Sequence, residues 1–264
     1  MKGPAGVLAL VLAETAAGGA GVLFLTPLWR EVRRGFFYLT GAIVLALAVS
    51  AAATAAGAYE AATAGRGRVA VVACLALAGA TLLWVVLLLA RRRREARVLG
   101  IFTVPLALFV LFAFSRTTDE SLTLSLFQLV AGAAFTGAVL DGLLLGHWYL
   151  TDRKLTRGPI NRAAWLLLMA VALEAAAVIT GALGATDRAG SSAKSSLNPL
   201  LTVAGSSTWI AVGMVACTGL IAVFIRLTLR GPRPSAVQSA TGFFYLAVIT
   251  AFTAELAAKV RFLP

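Results

Sequence analysis

Eight long apolar stretches, each ended by charged or turn-forming residues, leave this chain few ways to fold. They cover residues 5–28, 35–58, 69–90, 98–114, 122–150, 163–183, 208–229 and 236–258. An α-helix rises 1.5 Å per residue, so about 20 apolar residues cross the hydrocarbon of a bilayer, with a workable range of roughly 17–25. Each stretch is long enough. The fourth is the shortest and holds Pro105, which predicts a kink; the fifth is long enough to tilt or to protrude.

Composition removes the soluble alternatives. Of 264 residues 60% are hydrophobic and only 13% charged, and the mean hydropathy is +0.91. A water-soluble globule of this size has no core large enough to hide so much apolar surface. Two cysteines are too few for a disulfide scaffold. The predicted class is all-α: a polytopic integral membrane protein, one transmembrane domain over residues 1–264 built as an eight-helix bundle with short loops.

Basic residues orient the bundle. The loops after spans one, three, five and seven carry 15 of the 23 Lys and Arg, including Arg30, Arg33, Arg34, the run Arg91 to Arg94, Arg153, Lys154, Arg157 and Arg230. The positive-inside rule places those loops in the cytoplasm and both termini on the non-cytoplasmic side, in the cell (inner) membrane. This confinement to loops also accounts for the net charge of +12. The expected partners are the bilayer and its anionic lipids at the cytoplasmic face, with no role for nucleic acid. A homo-oligomer or a larger membrane complex is compatible with the same pattern.

The amino terminus imitates a secretion signal, with Lys2, an apolar stretch and small residues to Gly21. Glu14 interrupts that stretch, and the run continues to Leu28 before a basic stop, so a retained first span is expected. The longest connection, residues 185–207, is rich in Ser and Gly around Leu197-Asn198-Pro199-Leu200-Leu201 and reads as a surface loop. Gly-Phe-Phe-Tyr-Leu occurs at Gly35–Leu39 and again at Gly242–Leu246. Both copies, with Trp148 and Tyr149, are expected in an aromatic belt at the headgroups. A four-plus-four duplication would pair span two with span six, so it does not explain a repeat on spans two and eight. Small-residue runs such as Ala16 to Gly21 and Ser50 to Ala58 read as packing seams. Cys74 and Cys217 read as buried small hydrophobes at similar depth.

Ionisable groups at membrane depth need a reason, because each costs at least about 2.5 kcal/mol at the bilayer centre. Four carboxylates qualify: Glu14, Asp141, Glu174 and Glu255. Glu14 shares a helical face with Ala17, Gly18 and Gly21; Asp141 with Ala134, Gly137 and Ala138; Glu174 with Ala170, Ala177 and Gly181. Those small-residue faces belong in a bundle interior. Lys259, one turn beyond Glu255, is expected to pair with it near the outer surface. No Lys or Arg is expected deep enough to neutralise Glu14, Asp141 or Glu174. Each acid should then hold a cation or carry a proton, the latter hydrogen-bonded to a neighbour such as Thr15, Gln128 or Thr180.

His147, in Gly146-His147-Trp148-Tyr149, lies near the inner end of span five. It is six residues from Asp141, about 240° around the helix, so the two do not share a face. An interfacial hydrogen bond or a proton-entry role both fit it. A single histidine excludes a bis-histidine haem, and zinc ligands, a Walker loop, G-x-S-x-G, H-E-x-x-H and a dinucleotide fingerprint are all missing. No cofactor or metal is expected, and no catalytic constellation is legible. Two readings remain. One is a proton- or cation-coupled carrier or channel using Glu14, Asp141, Glu174, Glu255 and His147. The other is a cofactor-free subunit of a respiratory or other quinone- or lipid-associated membrane complex.

Overall fold

The computed structural model describes residues 3–25, 28–58, 65–118, 120–152, 154–188, 203–231 and 235–260, all helical or in short connections between helices. The helices are α1 (Gly3–Leu25), α2 (Leu28–Glu31, a single turn), α3 (Arg34–Ala58), α4 (Arg66–Leu89), α5 (Arg93–Ser115), α6 (Leu122–Thr151), α7 (Gly158–Arg188), α8 (Val203–Leu229) and α9 (Ser235–Lys259). Among the described residues, eight of these are long and apolar enough to cross a membrane. Long helices suit such sequences because each satisfies its backbone hydrogen bonds internally, which a segment surrounded by lipid must do.

The observed helices extend the predicted spans at several ends. α4 starts at Arg66, α5 at Arg93 and α7 at Gly158, because a charged residue can continue a helix beyond its apolar part. α5 runs through Pro105 as a single helix. α7 continues to Arg188, past the expected start of the longest loop at residue 185. The segment Leu197 to Leu201 lies outside the described residues.

Packing divides the helices into two rings of the same connectivity. α1, α3, α4 and α5 pack in sequence and close by contact of α5 with α1; α6, α7, α8 and α9 close in the same way, α9 onto α6. The rings join along α1 and α6, the two most buried helices. The small-residue seam makes that junction possible. A Cβ on Gly18 would lie 1.8 Å from the Ala133 carbonyl oxygen, and one on Gly137 would lie 2.4 Å from the backbone of Gly18. Close backbone approach of this kind supplies packing energy where lipid offers no hydrophobic drive between helices. The repeated Gly-Phe-Phe-Tyr-Leu does not follow this pattern, since its copies fall on the second helix of one ring and the fourth of the other.

Half of the aromatic residues expected in a headgroup belt pack against other helices of the bundle. Phe36, Phe37 and Phe244 are buried, as is Tyr149. Phe36 and Phe37 pack edge-on against Trp148 and Trp84, Phe244 sits against Gly142, and the Tyr149 hydroxyl donates to the Thr156 carbonyl. Glycines at 35, 41 and 142 open space for these rings, which therefore pack inside the bundle. Cys217 is exposed, not buried, because α8 lies at the periphery; Cys74 is buried, and both are free thiols. α4 and α8 belong to different rings.

Polar contacts knit the basic end. Arg33 pairs with Asp152 at 3.1 Å, Arg162 with Glu31, and Arg226 donates to the Asn161 side chain at 2.9 Å while lying over the Trp165 ring. Arg157 donates to the Gly231 carbonyl at 2.6 Å. Arginine suits this belt because its planar fork makes several hydrogen bonds and stacks on aromatic faces.

Candidate functional site

The interior of the bundle carries one ion cluster assembled from four helices. On α9, Glu255 and Lys259 are one turn apart and share a face with the buried Ala251, Ala254 and Ala258. Helical spacing alone brings the Lys259 ammonium to 3.1 Å from Glu255 Oε2. The same ammonium lies 2.8 Å from Glu14 Oε1 on α1 and donates to the Gln128 carbonyl of α6 at 3.3 Å. Glu174, on α7, faces Glu255 and lies within electrostatic range of Glu14 and Lys259. Glu14, Glu174, Glu255 and Lys259 are each at most 2% exposed.

α6 makes room for the carboxylates with a glycine. A Cβ on Gly132 would stand 2.8 Å from Glu14 Oε1 and 2.9 Å from both Glu255 oxygens, inside van der Waals contact. Gly132 is therefore part of the site, although it contributes no polar side chain. Its carbonyl is occupied by the Thr136 hydroxyl.

One expectation is corrected here: Glu14 has a basic partner, Lys259. The expected Glu255–Lys259 pair is present and is buried among the helices. Helix spacing could show the pair within α9; it could not show that α1 packs beside it. The hydroxyls expected to serve the acids also point elsewhere. Thr15 donates to the Val11 carbonyl and Thr180 to those of Ala176 and Ala177, while the fully buried Gln128 amide has no hydrogen-bond partner among the described residues. Sequence names Lys259 and Gln128 only as partners of single acids, and it gives no sign of Gly132. The available signal was Lys259 one turn from an acid on an alanine-lined face.

Among the described residues the cluster holds three carboxylates and one ammonium. Burying an uncompensated ion is costly, so carboxylates in such a place are favoured only when paired or protonated. Among the described residues no group of three or more His, Cys, Asp or Glu side chains has the spacing to hold a metal ion.

Asp141 stands apart, nine residues further along α6 from Gly132, or about 13 Å. It is 3% exposed, and neither carboxylate oxygen has a hydrogen-bond partner among the described residues. It borders a cavity of about 20 Å³ with Val22, Leu145, Arg162 and Leu166. His147 is exposed, its Nδ1 3.0 Å from the Tyr245 hydroxyl of α9. The structure thus brings Glu14, Glu174 and Glu255 together, leaves Asp141 as a separate buried acid, and puts His147 on the exterior.

The chain matches no protein-family model, no curated protein and no solved structure.

Proposed function

We propose that the protein is a multi-pass membrane carrier or channel coupled to protons or to a monovalent cation, with Glu14, Glu174, Glu255 and Lys259 as the exchanging site. The carrying observation is the buried cluster of three carboxylates around one ammonium. Lys259 neutralises one carboxylate equivalent and bridges α1 to α9. The remaining negative charge is balanced by exchangeable protons or cations, which is the property a coupled carrier needs. Asp141, on α6, provides a further buried acid towards the basic end of the bundle. In this reading the basic end is cytoplasmic, both termini lie outside, and the membrane is the cytoplasmic membrane.

Purified protein reconstituted in liposomes containing a pH-sensitive dye tests this. An imposed pH or potassium gradient is expected to drive dye-reported proton movement above that of empty liposomes. Glu174→Gln, which keeps the shape and removes one carboxylate, should reduce the rate at least about tenfold. A rate unchanged in Glu174→Gln removes this site from the path, and no flux above empty liposomes in either gradient overturns the carrier reading.

A further inference from the structure

The turn between α4 and α5 shapes the basic end of the first ring. Arg91 adopts a left-handed backbone with φ 60°, and the Arg91 and Arg92 amides donate to the Leu88 and Leu87 carbonyls at 3.0 and 2.9 Å. These two bonds end α4 and let the chain re-enter as α5 at Arg93. α3 starts at Arg34 and is held to the end of α4 by the Tyr38 hydroxyl, which donates to the Leu88 carbonyl at 3.1 Å. Between the two helix starts lies a cavity of about 550 Å³, bordered by Arg33, Arg34, Arg93 and Arg97.

The arginines at this cavity carry more charge than their neighbours cancel. Arg33 is paired with Asp152, Glu31 with Arg162, and Glu95 lies 4.0 Å from Arg92. Among the described residues Arg34, Arg93 and Arg97 pair with no carboxylate. Arg34 and Arg93 are also the first residues of α3 and α5, where each helix adds partial positive charge. A second cavity at the basic end, of about 530 Å³, is bordered by one arginine, Arg157, whose guanidinium donates to the Gly231 carbonyl. The two cavities match in size and differ in uncompensated charge.

The inner wall of the arginine-bordered cavity is apolar, with Phe37 and Leu88 both buried. Arg93, Arg97 and Ile101 follow at four-residue spacing on one face of α5, and Ile101 is 57% exposed. That face passes within about two turns from guanidinium to exposed hydrocarbon. A small soluble anion complements only the charged part of such a surface. A phospholipid complements both parts, its phosphate on the guanidiniums and its acyl chains along the apolar continuation.

We infer that this cavity binds the phosphodiester headgroup of an anionic phospholipid, held by Arg34, Arg93 and Arg97, with its acyl chains along the Ile101 face of α5. Arginine presents paired N–H donors that match phosphate oxygens. A zwitterionic headgroup brings its own cation to the same guanidiniums and binds less well. Diffuse attraction of a basic loop to the headgroup layer would make neighbouring arginines equivalent. A built site does not, because Arg94, beside Arg93 in the same run, does not border the cavity.

Native mass spectrometry of the protein in a non-ionic detergent, titrated with phosphatidylglycerol, tests this. A first phosphatidylglycerol is expected to bind saturably, with phosphatidylcholine at least about tenfold weaker. Arg93→Gln and Arg97→Gln should each weaken that first binding roughly fivefold and together more than about tenfold, while Arg94→Gln leaves it within about twofold. All three arginines are exposed, so circular dichroism is expected to stay unchanged in every variant. Glycerol phosphate in large excess should not displace the lipid; displacement would make this a site for a free anion and overturn the inference. An equal loss in Arg94→Gln would reduce the contact to diffuse charge, and native-like binding in the double variant would take the cavity out of it. Either result, or equal binding of phosphatidylcholine, overturns the inference. Binding is read without flux, so its outcome is independent of the carrier reading above.

Discussion

Lys259 of α9 reaches across to Glu14 of α1, placing its ammonium 2.8 Å from a carboxylate oxygen with both side chains out of reach of solvent. This contact spans 245 residues of sequence and ties the first helix of one ring to the last helix of the other. Removing one partner leaves the other buried and uncompensated. Lys259→Met is therefore expected to destabilise the protein by about 3–5 kcal/mol, and Glu14→Gln with Lys259→Met by less than Lys259→Met alone. Unfolding in detergent at several denaturant concentrations measures both. A double variant at least as unstable as Lys259→Met would show that the pair is not the source of the effect.

Gly132 tests whether the cluster needs its close approach to α6. In Gly132→Ala the new methyl would meet three carboxylate oxygens at under 3 Å. The cluster must then spread, and proton movement in liposomes should fall with little change in helix content. Gly79→Ala is the control, because a Cβ there meets nothing within 4 Å. It should leave flux unchanged and stability within about 0.5 kcal/mol of the parent.

His147 lies on the exterior with Tyr245 as its partner. His147→Gln and Tyr245→Phe are each expected to leave proton movement within about twofold of the parent and stability within about 0.5 kcal/mol. A loss comparable with that of Glu174→Gln would return His147 to the conducting path.

The orientation is checked by thiol labelling. With Cys74 and Cys217 replaced by alanine, a single cysteine at Lys154 should react with a membrane-impermeant maleimide only after the cytoplasmic side is opened. One at Gly65, at the start of α4 and so at the opposite end of the bundle, should react in intact cells. The reverse pattern would invert the assignment.

The placement of each acid in the interior was legible from sequence, because helical spacing sets Glu14, Asp141 and Glu174 on faces of alanine and glycine. What each acid meets there was not. Glu14 finds Lys259 because α1 packs beside α9, and Asp141 finds no partner because α1 and α7 offer it Val22, Leu166 and an arginine already engaged by Glu31. The fate of the aromatic pentapeptides depended on neighbours in the same way. Gly142 and Trp148, which receive Phe244 and Phe36, are on another helix.

Local order along the chain was enough to determine the eight apolar helices, their alternating basic ends and the small-residue seams, since hydropathy and helical period act over a few turns at most. The two rings, their junction at Gly18 and Gly137, and the buried ammonium among three carboxylates came only from tertiary structure. Their cause is contact between helices distant in sequence, where backbone approach and charge pairing depend on which faces meet.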